Sequence, residues 1–341
     1  RLHWNCTTNA NANPVCNGGG GLLALSLLDE LPNEADESLD HARRLIWNWL
    51  DYCNGDDGGN TEGMQYWQYG TENFVRFALA LERVTSSDDG LMQHPSIVNM
   101  LNMVRVGLCP DGSTHGLNDT IPLPVGGELA WLAGRRYGDA LGAWYGDHAM
   151  RQAEARAAAN HPAPYRPAPL GAALFRPNLP EQFDPPTMDR AYALPSIEYA
   201  IVRSQPRYDA PLAAGLKGSR PPYTHHNQPD TGAMFVHLRG DRLLIDPGYH
   251  TGNADQHCLP FIDGAAPRQP SDYRGRITQC EAAGDYAWIT CDATPAYHGA
   301  ADRVQRTIVL VGDAAAVVVD DIIATGDGRI EMLYQAGGPT A

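Results

Sequence analysis

The sequence predicts an α+β protein in which a helical domain precedes an antiparallel β-sandwich. Its 341 residues, 43% of them hydrophobic, exceed the roughly 150 residues of one ordinary domain. Apolar residues recur at helical spacing in the first half, and β-branched or alternating runs bounded by turn residues fill the second half. We therefore expect a helical domain in 1–160, a Pro-rich linker in 161–195 and a sandwich domain in 196–341.

Five segments of the first half carry apolar residues three and four positions apart, as on one face of a helix. In the second of these segments, the face consists of Leu45, Ile46, Trp49 and Leu50. The predicted helices are 22–31, 35–52, 71–83, 95–108 and 127–159. Helices joined in series by glycine-containing loops are typical of a bundle or an α/α array.

Nine prolines lie in 161–195, so neither a helix nor a central strand can extend far there. Beyond this linker, turn residues such as those at 239–241 separate runs that alternate or are β-branched. The predicted strands are 197–203, 233–238, 242–245, 286–291, 306–311, 315–319 and 330–334. Short strands at this spacing are typical of an antiparallel sandwich.

The charge balance excludes a protein that coats nucleic acid. The chain has 25 basic and 40 acidic residues, a net charge of −15, whereas binding to phosphates needs a dense basic face. Lys217 is the only lysine. No apolar run approaches the roughly 20 residues that cross a membrane, so we expect no membrane partner.

The cysteines and glycines exclude two further classes of site. Seven scattered cysteines without a CxxC motif predict buried free thiols and no disulfide scaffold. The glycines at 18–21 lack the Lys-Ser/Thr ending of a phosphate-binding loop and follow no strand, so we expect no organic cofactor.

A first polar pattern precedes the predicted helix 71–83. If the helix already includes this segment, Glu62, Tyr66, Tyr69 and Asn73 share one face, because they follow each other at helical spacing. One acid, two phenols and an amide suit the wall of a polar cavity. Ordinary aromatic packing with hydrogen-bonded hydroxyls is the alternative.

A second pattern is the asparagine- and glycine-rich segment 9–21. Its asparagines could line the rim of a cavity, or the segment could be a loop that ends in a helix N-cap.

A third pattern, the densest, joins 223–230 with 246–250 and 256–258. Its imidazoles, carboxylates and amides are the groups that bind zinc or calcium, or that transfer protons. No HExxH motif occurs, and a purely structural hydrogen-bonded cluster is the alternative.

Taken in order, these segments resemble the heparinase II/III-like polysaccharide lyases, which include heparin, heparan and alginate lyases. The residues at 11–16 are similar to the family's Asn-Trp-Asn-Ala-Val-Cys, and those at 62–70 to its Glu-Gly-Pro-x-Tyr-Trp-x-Tyr-Gly. The segment 226–249 is similar to its His-x-His-x-Asp, strand, Gly-Glu-x-Leu-Leu-x-Asp-x-Gly-Tyr. The resemblance covers most of the chain, but Ala12 and Gln228 depart from the pattern.

The resemblance implies an incomplete (α/α) toroid followed by an antiparallel β-sandwich, with the active site in a groove between them. It implies an acidic polysaccharide substrate and a periplasmic or secreted location. Such lyases carry further helices and strands, so this chain is expected to be shorter than they are. The sequence leaves open alginate or glycosaminoglycan as substrate, endo or exo action, and monomer or homodimer.

The family's chemistry is β-elimination at a uronic acid, which gives a 4,5-unsaturated product. Asn11 or Asn13 is expected to neutralise the uronate carboxylate. Tyr66 is expected to be the acid, with Tyr69 in reserve, and His226 the base. The expected substrate-binding residues are Glu62, His225, Tyr249, Arg274 and Arg276.

The resemblance also implies one zinc or calcium ion in the β domain, bound by Gln228, Asp246 and His257. Gln228 stands where the family has a second histidine, and its neutral amide oxygen is expected to weaken zinc binding. Two other functions stay open: an inactive carbohydrate-binding relative, and a metal-dependent hydrolase that uses Asp230, Asp246 and His257.

Overall fold

The computed structural model describes residues 10–159, 184–220, 225–249, 252–268 and 273–337. Helices fill the first part and antiparallel strands the second, which confirms an α+β protein. The helices are α1 (Ala12–Ser26), α2 (Pro32–Cys53), α3 (Met64–Thr85), α4 (Pro95–Val98), α5 (Asn102–Gly107), α6 (Gly127–Tyr137) and α7 (Ala140–Ala158). The strands are β1 (Ala191–Leu194), β2 (Tyr199–Arg203), β3 (Leu212–Lys217), β4 (Met234–Leu238), β5 (Asp241–Leu244), β6 (Pro260–Ile262), β7 (Arg276–Ala283), β8 (Tyr286–Asp292), β9 (Ala301–Val311), β10 (Ala315–Ala324) and β11 (Ile330–Met332).

Several sequence predictions concern residues outside the described ranges. Most of the predicted linker, 161–183, is among them, as are 223–224 and residue 250 of the third polar pattern. The described end of the linker contains β1, so the first sheet begins before the boundary at residue 196 that the prolines predict. None of the described helices combines the length and the apolar composition that crossing a membrane requires.

Helix α1 begins about ten residues earlier than the sequence predicts and includes the glycine run. Of the two interpretations of segment 9–21, the loop is wrong from residue 12 onward, where α1 begins. Glycine costs about 1 kcal/mol in a helix, but here it allows two helices to approach each other. A side chain at Gly18 would meet the backbone of Asn73 at 3.3 Å, and one at Gly21 would overlap the ring of Phe77.

Two other predicted helices are interrupted. The predicted helix 127–159 is two helices, because Gly138 adopts a left-handed conformation (φ 72°) and ends α6. The predicted helix 95–108 is divided into α4 and α5 by a turn.

The described strands form a five-stranded sheet in the order β1-β2-β3-β4-β5, a four-stranded sheet in the order β10-β9-β8-β7, and a β11-β6 pair. All described pairings are antiparallel. Prediction missed β3 because its Leu-Ala-Ala-Gly-Leu-Lys sequence has little β propensity. Its Gly215 leaves space for the ring of Phe235. The short β1, the short β6 and the mostly exposed edge strand β7 were missed as well.

The five-stranded sheet is covered on both faces, since successive side chains of a strand point to opposite sides. Along β2, Tyr199 and Ile201 join the core that the helices build, whereas Ala200 and Val202 join the core shared with the four-stranded sheet. This central sheet therefore connects the helices to the second sheet, and its loops lie beside the helical half.

Candidate active site

Tyr66 lies in the first turn of α3, and the residue before that helix, Gly63, packs closely against the side chain of Asn118. Gly63, which precedes the helix, has φ 82°, a conformation that favours glycine. A Cβ atom at Gly63 would also lie 2.9 Å from the Cβ of Asn118. The first turn of α3 is therefore held against the loop 116–120, which connects α5 to α6.

His226 reaches the same place from the β half. Its backbone is left-handed (φ 56°), a strained conformation for a residue other than glycine. Its Nδ1 atom donates a hydrogen bond to Asp119 Oδ2 at 3.0 Å, because a carboxylate can only accept. The amide nitrogen of Asp119 in turn donates to the carbonyl oxygen of His226 at 3.4 Å. The carboxylate thus selects the tautomer whose Nε2 atom can accept a proton.

Tyr66 and His226 are stacked on each other. Their ring centroids lie 3.3 Å apart and their planes differ by 10°. The hydroxyl of Tyr66 is hydrogen-bonded to the hydroxyl of Tyr249, a residue 183 positions later in the chain. We call Tyr66, Asp119, His226 and Tyr249 the interface cluster. The structure thus brings together a phenol of the helical half with an imidazole and a second phenol of the β half.

The turn that carries Tyr249 fits closely against the helical loop. Gly248 has φ 87°, and a side chain there would collide with the carbonyl oxygen of Thr120. The side-chain amide nitrogen Nε2 of Gln228 donates to Asp119 Oδ1 at 2.8 Å and to the carbonyl oxygen of Gly248 at 3.3 Å. Gln228 therefore ties the turn to the carboxylate that holds His226.

Asn11 and Glu62 form a buried pair at the start of α1 and α3. The backbone nitrogen of Asn11 donates to Glu62 Oε2 at 2.6 Å, and its side-chain Nδ2 donates to Oε1 at 3.1 Å. Burial raises the pKa of Glu62 to about 8, although hydrogen bonds from Asn11 and Cys53 lower it. Glu62 thus holds Asn11 in place and is itself 1% exposed.

The other residues of the first two patterns lie in different environments. Asn13 is enclosed in the helical core, where its Nδ2 donates to the carbonyl of Leu45 at 2.8 Å and its Oδ1 accepts from Asn17. Tyr69 lies on α3 and is 36% exposed. Glu62 precedes α3, so only Tyr66, Tyr69 and Asn73 of the predicted shared face lie on this helix, where they are half-buried or exposed.

A second group, the buried cluster, consists of Lys217, Asp230, Asp246 and His257. Lys217 at the end of β3 is 1% exposed and forms an ion pair with Asp230. His257 Nδ1 contacts Asp246 Oδ2 at 2.6 Å, and the nitrogen of Gly248 donates to Asp246 Oδ1 at 3.1 Å. Burial alone would lower the pKa of His257, but the hydrogen bond and charge of Asp246 raise it.

The buried cluster contains two of the three predicted metal ligands, Asp246 and His257, and one of its atoms fits a metal. The third, Gln228, lies outside the cluster and donates to Asp119 and Gly248. Ligand atoms of Asp230, Asp246 and His257 lie within 4.8 Å of one another, and the buried His257 Nε2 has no hydrogen-bond partner among the described residues. The other donors do not fit a closed zinc site, which takes four ligands. Asp230 is paired with Lys217, and both oxygens of Asp246 accept hydrogen bonds.

The remaining predicted substrate-binding residues lie at the surface. His225 is exposed next to His226, and their ring centroids are 6.4 Å apart. Arg274 is 42% exposed and pairs with Glu198 at 2.8 Å. Arg276 begins β7 and is exposed. Thus the two predicted arginines lie two residues apart at the start of β7, and Arg274 already has a carboxylate partner.

Asp119 and Lys217 were missed as members of these clusters. Asp119 lies 107 positions from His226 in an irregular loop, so no spacing or motif links the two. Lys217 was visible as the only lysine, and its position directly after an apolar run was a signal that it is buried.

Comparison with known proteins adds a fold-level relationship. No protein-family model matches the sequence, and no curated protein matches it. The structure is similar to that of heparinase III, with a TM-score of 0.67 and 14% identity over 95% of this chain and 48% of that one. It is also similar to heparan sulfate lyase HepC from Pedobacter heparinus (TM-score 0.62, 14% identity, 92% of this chain, 46% of that one).

A third similar structure is the heparinase III BT4657 gene product, with a TM-score of 0.65 and 15% identity over 94% of this chain and 47% of that one. The chain spans about half the length of these proteins. At such identity the likeness shows a shared fold.

Proposed function

We propose that the protein is a polysaccharide lyase that cleaves a uronic-acid-containing polysaccharide, alginate or a glycosaminoglycan, by β-elimination. The observation that carries this proposal is the stack of Tyr66 on His226, in which two proton-transfer groups from different halves meet at a half-buried position. The shared fold with heparan sulfate lyase and heparinase III supports the same reaction class.

The reaction needs one base, one acid and a neutraliser of charge. The base removes the proton from C5 of the uronate, the C4–O4 bond breaks, and a double bond forms between C4 and C5. The acid delivers a proton to the departing O4 oxygen, so atoms balance without water. Removal of the C5 proton is possible only if donors neutralise the carboxylate and the developing enolate.

In the proposal His226 is the base. Its Nδ1 proton is held by Asp119 at 3.0 Å, so the lone pair on Nε2 is the proton acceptor. The carboxylate of Asp119 also stabilises the imidazolium that forms. Asp119 acts through His226 and is a positioning residue.

Tyr66 is the proposed acid. Its hydroxyl is hydrogen-bonded to Tyr249, which orients the phenol and provides a second hydroxyl from which its proton can be replaced. Tyr69, one turn further along α3, stays in reserve because its exposed side chain can reach solvent and substrate.

Asn11 is the proposed neutraliser, because Asn13 is enclosed in the helical core. Glu62 accepts a hydrogen bond from one N–H of the Asn11 side-chain amide and thereby orients the other N–H. Glu62 thus supports binding through Asn11, while His225, Arg274 and Arg276 are proposed to contact the polymer.

The finer architecture belongs to the same proposal. The helices are taken as an incomplete (α/α) toroid and the two sheets as a β-sandwich, with the polymer bound in the groove between them. A periplasmic or secreted location is proposed with it, because the resemblance implies it and the expected substrates are extracellular polymers.

The proposal is tested by incubating the full chain with alginate, heparan sulfate and hyaluronan while ultraviolet absorbance is recorded. A 4,5-unsaturated uronate absorbs, so a rise on at least one polymer is the expected result. No rise on any of them, together with measurable binding, would identify a carbohydrate-binding protein without lyase activity. New reducing ends without the chromophore would identify a hydrolase.

A further inference from the structure

We propose that the ammonium group of Lys217 supplies the positive charge that a metal ion would supply to the buried cluster, so that the folded protein binds no ion there. This inference concerns charge balance and does not rest on the proposed function. Lys217 is the only lysine in a chain whose other basic residues are arginines.

Lys217 is held firmly at the end of β3. Its backbone nitrogen donates to the carbonyl of Ala233 at 3.0 Å, and its carbonyl accepts from Gly232 at 2.7 Å. The side chain is 1% exposed, its ammonium pairs with Asp230, and it lies 5.8 Å from the centre of the Tyr199 ring. Strand geometry therefore directs this ammonium to one buried carboxylate.

The ammonium group of Lys217 contacts a carboxylate that would be a ligand of a metal ion. Asp230 belongs to the same group of ligand atoms, within 4.8 Å of one another, as Asp246 and His257. A divalent cation between them would be repelled by an ammonium that is hydrogen-bonded to one of its own ligands. Ammonium and metal are therefore alternatives at this position.

Apart from His257 Nε2, which has no hydrogen-bond partner among the described residues, the side chains of the cluster are paired with protein groups and not with an ion. Asp246 accepts hydrogen bonds from His257 and from the backbone of Gly248. Gln228, at the predicted ligand position, donates its amide hydrogens to Asp119 and Gly248, so it serves the interface cluster. Buried carboxylates need such partners, since an unpaired buried charge is strongly destabilising.

The first test measures metal in the unmodified protein. After dialysis against zinc and calcium and then against metal-free buffer, we expect far less than one ion per chain by elemental analysis. We also expect the same melting temperature in excess EDTA as in excess zinc. One zinc or calcium ion per chain, or a melting temperature that falls in EDTA and recovers with the metal, would overturn the proposal.

The second test uses variants. Lys217→Met keeps the apolar stem and removes the charge, so in EDTA we expect a melting temperature about 5–10 °C lower. Lys217→Met/Asp230→Asn removes both charges and should recover most of that loss in EDTA. If Lys217→Met melts like the unmodified protein, the ammonium is not the required countercharge. If Lys217→Met does not fold, the melting temperature of the double variant and the metal content of the unmodified protein still test the proposal.

Discussion

The interface cluster and the buried cluster are joined by one turn yet differ in exposure and in charge balance. Gly248 of this turn is bonded both to Gln228, on the side of the interface cluster, and to Asp246 of the buried cluster. The side chains of His226 and Asp119 are each 24% exposed, whereas those of Asp230, Asp246 and His257 are not exposed. The same residue types therefore serve two purposes within one region.

This difference distinguishes a polar cluster that can take part in catalysis from one that has a structural role. A sealed cluster whose charges are paired internally cannot receive a polymer, and it is strongly destabilised when one partner of a pair is removed. A half-open cluster with a strained histidine and two phenols can exchange protons with a bound ligand. Four experiments test this division between the two clusters, in decreasing order of expected effect.

The largest effect is expected from Tyr66→Phe in the interface cluster. Loss of the phenolic proton should lower lyase turnover by about 10²–10⁴-fold, because the departing oxygen then lacks its acid. Polymer binding and melting temperature should change little. The control is Tyr286→Phe, since Tyr286 is 53% exposed on β8. Normal turnover in Tyr66→Phe would move the acid role elsewhere, with Tyr69 the next candidate.

A loss of stability of similar size is expected in the buried cluster. Asp230→Asn leaves the ammonium of Lys217 buried without its countercharge, which should lower the free energy of unfolding by about 3–5 kcal/mol. Urea unfolding measures it. Asp321→Asn is the matched control, because Asp321 is 50% exposed in its pair with Arg303 and should cost about 0–1 kcal/mol. Equal losses in the two variants would contradict the division.

Glu62 is a buried acid without a cationic partner among the described residues, so its titration tests the effect of burial. Its pKa in the folded protein is raised to about 8, so the unfolded chain releases the proton at lower pH than the folded one. The free energy of unfolding should therefore decrease by about 2–3 kcal/mol between about pH 6 and about pH 8. Glu62→Gln should remove this decrease, whereas exposed Glu30→Gln should leave it. A pH dependence that persists in Glu62→Gln would assign it to another group.

The smallest effect is expected from Asp119→Asn, which changes the partner of His226. Turnover should fall by about ten-fold with KM little changed, because an amide neither fixes the tautomer of His226 nor stabilises its imidazolium as a carboxylate does. A merely structural role would lower the melting temperature and change KM together with turnover. The control is Asp209→Asn, since Asp209 lies in an exposed pair with Arg207.

Local patterns and the family resemblance predicted the α+β order and the members of both clusters except Asp119 and Lys217. Helical spacing placed Tyr66 on a helix face, and the family resemblance over 226–249 joined His226 and Tyr249 in one pattern. The ends of elements were less predictable. Gly18 and Gly21 predicted a loop because glycine disfavours helices. In the structure α1 contains them because the backbone of Asn73 and the ring of Phe77 leave no space for larger side chains there.

Short-range spacing in the sequence was enough to predict a helical first half and a strand-rich second half, because the helix and strand periods are local patterns. Three features could be seen only in the folded structure. Asp119 accepts a hydrogen bond from His226, Asp230 forms an ion pair with Lys217, and Asn13 is buried in the helical core. These pairings depend on how loops from distant positions meet. Burial at that meeting then decides whether a charge must be balanced internally or can face a ligand.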